Sequence, residues 1–288
     1  MLSDMDLLDE PDIPQLPDWI LDLDQRAEHR TTEHDGCAIQ WRIWGEGPPL
    51  ALLHGGHGSW RHWVRNIDTL AQHYRVMAVD LPSFGDSAIY MTEDLHDYAR
   101  IVAQGATDLA GTDTPMRTAG FSFGSVIGSL MLKHFDQGVA RHVMLGSPIL
   151  GRTHPVTDRL KKWKGMPIPE HRAAAHANNV GELMLTGPDS VTDEATAIQM
   201  SHAEQARGMY RGLFRKLDVP ADIAAWDGEL TVIYGDRDAI TCQHLDERRA
   251  KVAEIKPDAE FHVIPDTGHW VQYQAADAVH EIMLRRLA

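Results

Sequence analysis

Three stretches of the chain could together build a nucleophile. Gly120-Phe121-Ser122-Phe123-Gly124 follows an apolar run and precedes a helical pattern. In a G-x-S-x-G elbow the serine sits on a tight strand-to-helix turn that pushes its Oγ out of a sheet. Flanking glycines let neighbouring backbone pass close by. The bare pentapeptide recurs by chance, and the setting AGFSFGSVIGSLML is what gives it weight. A serine needs a base, and the base needs an orienting carboxylate. Both follow in the order Ser, acid, His. Two aspartates compete for the acid, Asp236 and Asp238 in IYGDRDA. Of seventeen histidines, His269 in PDTGHW is the candidate base. Its position singles it out: an apolar run, a short turn with Gly268, the histidine, then a helical pattern.

A fourth element is His54-Gly55-Gly56-His57-Gly58-Ser59-Trp60, after another apolar run. Glycines there bring backbone amides close to a reacting carbonyl. The amides of Gly56 and Phe123 can converge on one spot and hold a developing oxyanion, worth roughly 3–4 kcal/mol per donor. His54 and His57 also fit an H-x-x-H metal pair. Bracing of the loop by His54 is the preferred reading, and no metal or cofactor is expected.

The elements that must position these residues alternate along the chain. Cys37–Gly45 alternates like a half-buried strand. Pro49–Gly56, Arg75–Ser87, Pro115–Ser125, His142–Pro148, Glu229–Ala239 and Glu260–His269 each carry an apolar run, most of them ending in a glycine- or proline-containing turn. Such runs suit strands buried on both faces. Helical patterns lie between them at Trp60–His73, Leu95–Ala110, Val126–Phe135, Cys242–Ile255 and Val271–Leu287. Alternation of this kind predicts an α/β fold with a mostly parallel sheet covered on both faces.

One segment breaks the alternation. Residues 148–228 show helical patterns and no convincing strand. They carry ten Lys/Arg and ten Asp/Glu, although the whole chain has a net charge of −15. This neutral insertion, with Met166, Met184, Met200, Met209, Trp163 and Phe214, reads as a lid over an apolar cavity or as ordinary helical core. Residues 31–147 and 229–288 form the expected core. Residues 1–30 hold nine acids and two bases and read as an acidic arm, with a short helix near Trp19–Gln25. Trp19, Ile20 and Leu23 could dock on a partner or on the lid.

Composition narrows the classes. The 288 residues are 43% hydrophobic and 24% charged, which suits one large globular domain or a domain with an insertion. Strong acidity disfavours nucleic acid and anionic membranes. The acidic start does not resemble a secretory leader, and no run of apolar residues is long enough to span a bilayer. A cytoplasmic protein, monomer or homodimer, is the default. Cys37 and Cys242 are too few for a disulfide framework. No dinucleotide fingerprint, Walker loop or kinase motif is present.

These landmarks resemble the α/β-hydrolase superfamily, from about Cys37 to the end: LLHGG, VDLPSFGDS, GFSFG, GDRD and TGHW stand in its order. The resemblance implies an α/β-hydrolase fold with a cap at 148–228. Its G-x-x-D spacing puts the acid on Asp238. It implies a triad of Ser122, Asp238 and His269, an oxyanion hole from Gly56 and Phe123, and a pocket near Gly55, His57, Trp270, Met184 and Met200. Serine at the elbow argues against the branches that use a carboxylate nucleophile. The tail TGHWVQYQAADAVHEIML and the cap stretch GPDSVTDEATAIQ resemble the meta-cleavage carbon–carbon bond hydrolases. That family places a carboxylate-binding arginine in the cap where this chain has Gln199. Arg207 and Arg211, four apart on an expected helix face, are the available substitutes. The implied activity is hydrolysis of small, mostly apolar carboxylic esters. Carbon–carbon hydrolysis, acyl transfer and a catalytically silent ligand receptor are the alternatives.

Overall fold

The computed structural model describes residues 13–153, 157–207, 213 and 217–288. Its strands are β1 (Glu28–His34), β2 (Cys37–Trp44), β3 (Pro49–Leu53), β4 (Arg75–Asp80), β5 (Met116–Phe121), β6 (Val139–Leu145), β7 (Glu229–Gly235) and β8 (Glu260–Ile264). Side-chain alternation decides the layers. In β3, Leu50 and Leu52 enter one apolar cluster while Ala51 and Leu53 enter the other. In β4, Val76 and Ala78 oppose Met77 and Val79 in the same way. The clusters are the two faces of one eight-stranded sheet, ordered β1-β2-β4-β3-β5-β6-β7-β8. β1 pairs antiparallel with β2, and β2 with β4; the remaining pairs are parallel.

Helices cover both faces. α3 (Leu95–Ala110), α4 (Phe123–Met131) and α8 (Leu245–Ile255) close one cluster. α1 (Asp18–Gln25), α2 (Val64–Leu70), α9 (Val271–Gln274) and α10 (Ala276–Leu287) close the other. This is the three-layer α/β architecture expected from the alternating runs. Leu53 lies beside Gly120, Phe121 beside Leu145, Leu145 beside Ile233, and Gly235 beside Ile264. The carboxyl ends of five parallel strands therefore finish along one edge, where open α/β sheets bind ligands.

The amino-terminal segment is tied to the core from Leu16 onward more closely than an arm would be. Ile20 and Leu23 are fully buried, and Asp24 accepts from the Arg42 Nε–H at 2.7 Å. The sheet itself starts at Glu28, ahead of the expected boundary at residue 31. Trp19 donates its indole N–H to Glu194 at 3.2 Å.

Between β6 and β7 the chain forms α5 (Pro169–Asn179), a π-helical turn (Val180–Met184), α6 (Asp193–Ala203) and α7 (Val219–Ala224), with no strand among the described residues. The expected helix through Arg207 and Arg211 is corrected, since α6 stops at Ala203. Arg211, Met209 and Phe214 lie outside the described residues. Arg207 sits past the helix end and is spent on the core. Its N–H donates to Ser83 O at 2.9 Å and its guanidinium to Ser87 O at 2.5 Å. No described helix is long and apolar enough to cross a membrane.

Candidate active site

Ser122 stands between β5 and α4 with φ +50° and ψ −112°. A non-glycine residue held there stores about 1–3 kcal/mol of strain. Neighbouring bonds enforce it. The Ser122 N–H donates to Leu145 O at 2.8 Å, and Ser122 O accepts from the Ser125 N–H at 3.0 Å and the Ser125 hydroxyl at 2.6 Å. The flanking glycines are demanded by close approach. A Cβ on Gly124 would stand 2.6 Å from His54 O and closer still to Leu53 O. One on Gly120 would overlap Gly124 backbone. The elbow can form only if both positions lack side chains.

His269 follows β8 on a turn that crosses beside this elbow. Its ring centroid lies 4.9 Å from that of Phe121. Gly146, after β6, leaves it room, since a Cβ there would stand 3.0 Å from Nδ1. His269 Nδ1 pairs with Asp238 Oδ2 at 2.8 Å, both side chains almost wholly buried. The Ile240 N–H occupies the other carboxylate oxygen, Oδ1, at 2.8 Å. Burial alone would raise the Asp238 pKa. The adjacent His269 charge and these hydrogen bonds outweigh it and hold the carboxyl below its ordinary range. Asp236 has a different place: it is exposed, and its Oδ1 accepts the Thr267 N–H at 3.2 Å, bracing the turn that leads to His269.

The glycine loop runs from β3 over the same edge. Gly56 is exposed and lies beside Phe123, with a notional Gly56 Cβ 3.8 Å from Phe123 Cβ. His54 Nε2 accepts the Leu81 N–H at 2.9 Å, so its proton sits on Nδ1 and is donated to Gly55 O at 2.7 Å. Both ring nitrogens are thus committed to backbone, and His54 braces the loop. Burial lowers the His54 pKa, only partly opposed by the Asp80 charge and the Gly55 carbonyl.

The pocket candidates divide. His57 is half-buried with φ +54°, and Met200 is half-buried on α6. Met184 is buried, and its carbonyl accepts the Trp270 N–H at 2.7 Å. Gly55 has its N–H held by His62 Nδ1 at 3.1 Å. Trp270 is corrected from pocket lining to core. Its indole is fully buried, stacks on Tyr273 at 4.1 Å, and satisfies its N–H on His62 O at 2.9 Å. Three residues not singled out as site candidates also join the site's surroundings. Asp80 accepts the Trp60 N–H at 2.9 Å and ties the glycine loop to β4. His62 and His202, from segments far apart in sequence, pack ring to ring at 4.7 Å.

A family model described as the alpha/beta hydrolase family matches residues 50–282. A 2-hydroxy-6-oxononadienedioate/2-hydroxy-6-oxononatrienedioate hydrolase of a Pseudomonas species is 24% identical over 268 residues, spanning 85% of this chain and 89% of that protein. A pimeloyl-[acyl-carrier protein] methyl ester esterase of Vibrio campbellii is 31% identical over 128 residues, 44% of this chain and 46% of its own. The crystal structure of a Bacillus subtilis carboxylesterase superposes with a TM-score of 0.75 at 18% identity, covering 94% of this chain and 95% of that one. The serine elbow at the carboxyl edge of a mostly parallel sheet and the match over most of the sequence agree: the chain belongs to the alpha/beta hydrolase family and is a hydrolase of that fold.

Proposed function

We propose that the chain hydrolyses small, mostly apolar carboxylic esters through an acyl-enzyme on Ser122, without a cofactor. The observation that carries this reading is the buried Asp238–His269 pair at the sheet edge where Ser122 is held at φ +50°. Donation of the His269 Nδ1 proton to Asp238 leaves Nε2 with its lone pair, the form that can take the serine proton. Ser122 Oγ attacks the carbonyl carbon, and the amides of Gly56 and Phe123 receive the oxyanion. His269 then returns the proton to the leaving alcohol. A water deprotonated by His269 releases the acid. Residues 148–228 serve as the cap over the substrate.

Ester substrates are favoured over dienoates because a buried carboxylate needs a partner, and leaving it unpaired costs several kcal/mol. Arg207 spends its guanidinium on Ser87 and Gly85 carbonyls, and Gln199 is turned to His202 at 3.3 Å. The second reading, carbon–carbon hydrolysis, draws on the dienedioate hydrolase that matches along most of its length. One experiment tests both: p-nitrophenyl esters of graded chain length assayed beside a meta-cleavage dienoate, with wild type and Ser122→Ala. The expected result is ester turnover exceeding dienoate turnover and its loss by at least about 10⁴-fold in Ser122→Ala. Faster dienoate cleavage would move the chain to the second reading, and an active Ser122→Ala would remove the serine mechanism.

A further inference from the structure

Behind the glycine loop lies a small buried cluster that the mechanism above does not use: His62 and Ser59 from the core, and His202 from α6. His62 Nδ1 accepts the Gly55 N–H at 3.1 Å, so the ring proton is on Nε2. The fit around it is close. A Cβ on Gly58 would stand 2.5 Å from His62 Nδ1, so only glycine lets the loop lie on this ring. His202 packs against the other side at 4.7 Å between centroids, and its Nδ1 lies 3.3 Å from Ser59 Oγ. His202 Nε2 reaches Gln199 Oε1 at 3.3 Å. Phe121, next to the elbow serine, and Trp270, next to His269, complete the ring's surroundings at 5.3 and 5.1 Å.

Gly55 is therefore gripped at both ends, its N–H by His62 and its carbonyl by His54. No peptide in the described chain is cis. In a trans peptide the C=O and the next N–H point in opposite directions. Fixing Gly55 thus aims the Gly56 N–H, the loop's candidate oxyanion donor. We infer that His62, backed by His202 of the cap segment, is a positioning residue that sets the oxyanion donor through Gly55. The inference rests on the ester-hydrolase reading of Gly56 and deepens it. Burial, with His54 and His269 nearby, holds the His62 pKa well below its usual value, which keeps Nδ1 free to accept. His202 is held neutral in the same way, by burial first and by neighbouring His62 and Arg61 next.

The test compares wild type with His62→Ala, His62→Asn, His202→Ala and Ser122→Ala on a p-nitrophenyl ester. Melting temperature and inhibition by an alkyl trifluoromethyl ketone, which forms an oxyanion on serine, are measured alongside. His62→Ala should lower kcat about 30- to 100-fold, less than outright loss of a donor, with KM changed by less than about threefold. Ketone affinity should fall in step with kcat/KM. Asparagine carries an acceptor near the position of Nδ1, so His62→Asn should recover to within about fivefold of wild type. His202→Ala should lose about three- to tenfold in kcat, and it decides the matter if His62→Ala does not fold. A merely structural His62 would lower the melting temperature while kcat and ketone affinity stayed at wild-type values, which overturns the inference. So would a His62→Asn as slow as His62→Ala. An active Ser122→Ala fails the ester-hydrolase reading itself, whereas a dead Ser122→Ala beside a fully active His62→Ala fails only this inference.

Discussion

The proposed catalytic acid offers the sharpest test, because two aspartates two residues apart have different surroundings. Asp238 uses both oxygens, Oδ2 for His269 Nδ1 and Oδ1 for the Ile240 N–H, each at 2.8 Å. Asparagine has one acceptor. If its oxygen stays on Ile240, its NH₂ faces His269 and draws the ring into the Nε2–H tautomer, which cannot accept the Ser122 proton. If it flips, a backbone N–H beside a fully buried side chain is orphaned at about 1–3 kcal/mol, and the imidazolium loses its counter-charge. Either way Asp238→Asn should lower kcat about 10³- to 10⁴-fold, a barrier increase of about 4–5 kcal/mol. Asp236 is exposed and accepts one backbone N–H, from Thr267. An asparagine oxygen keeps that bond, so Asp236→Asn should stay within about threefold of wild type. Initial ester-hydrolysis rates at neutral pH, with circular dichroism to confirm folding, decide the matter. A reversed order of the two effects, or an Asp238→Asn above a tenth of wild-type kcat, would refute the assignment.

Three further outcomes follow from local geometry. Gly124→Ala drives a Cβ into the Leu53 and His54 carbonyls, so it should cost about 3 kcal/mol of stability and displace the glycine loop; a melting temperature and kcat equal to wild type would contradict this. His142 is buried between the Thr118 and Ser129 hydroxyls, and burial lowers its pKa to about 4. The unfolded state then takes the proton first, so the contribution is complete above about pH 6.5 and declines toward pH 4, by about 3 kcal/mol in all. Denaturant unfolding at a series of pH values should show this decline, and His142→Gln should flatten it; an unchanged slope would count against the buried neutral imidazole. Arg207→Gln should weaken the seat of the segment between β6 and β7 on the Ser83–Ser87 turn and lower thermal stability, with ester kcat changed by less than about threefold. A dienoate activity abolished by that substitution would instead place Arg207 at the substrate.

What the sequence disclosed depended on whether a residue's environment left a local pattern. The apolar runs at Pro49, Arg75 and Glu229 begin where β3, β4 and β7 begin, because a strand buried on both faces is apolar at most positions. β1 left no such mark. EHRTTEH buries only Thr32, since this edge strand turns most of its side chains to water. The elbow was legible for a steric reason: backbone passes so close at Gly120 and Gly124 that only glycine fits, and the requirement is written into five consecutive residues. Only the G-x-x-D spacing of the resemblance separates Asp236 from Asp238, which share one turn. Their difference lies in what arrives from elsewhere, Thr267 at one and His269 at the other. The same holds more strongly for His62. Its neighbours in sequence read as an ordinary helix start, while the groups that give it a task are Gly55 on the preceding loop and His202 far along the chain. A histidine acquires a function from what its ring nitrogens bond and what packs against its ring, and for His62 those partners come from the preceding loop and from a segment far along the chain that meet only in the folded protein.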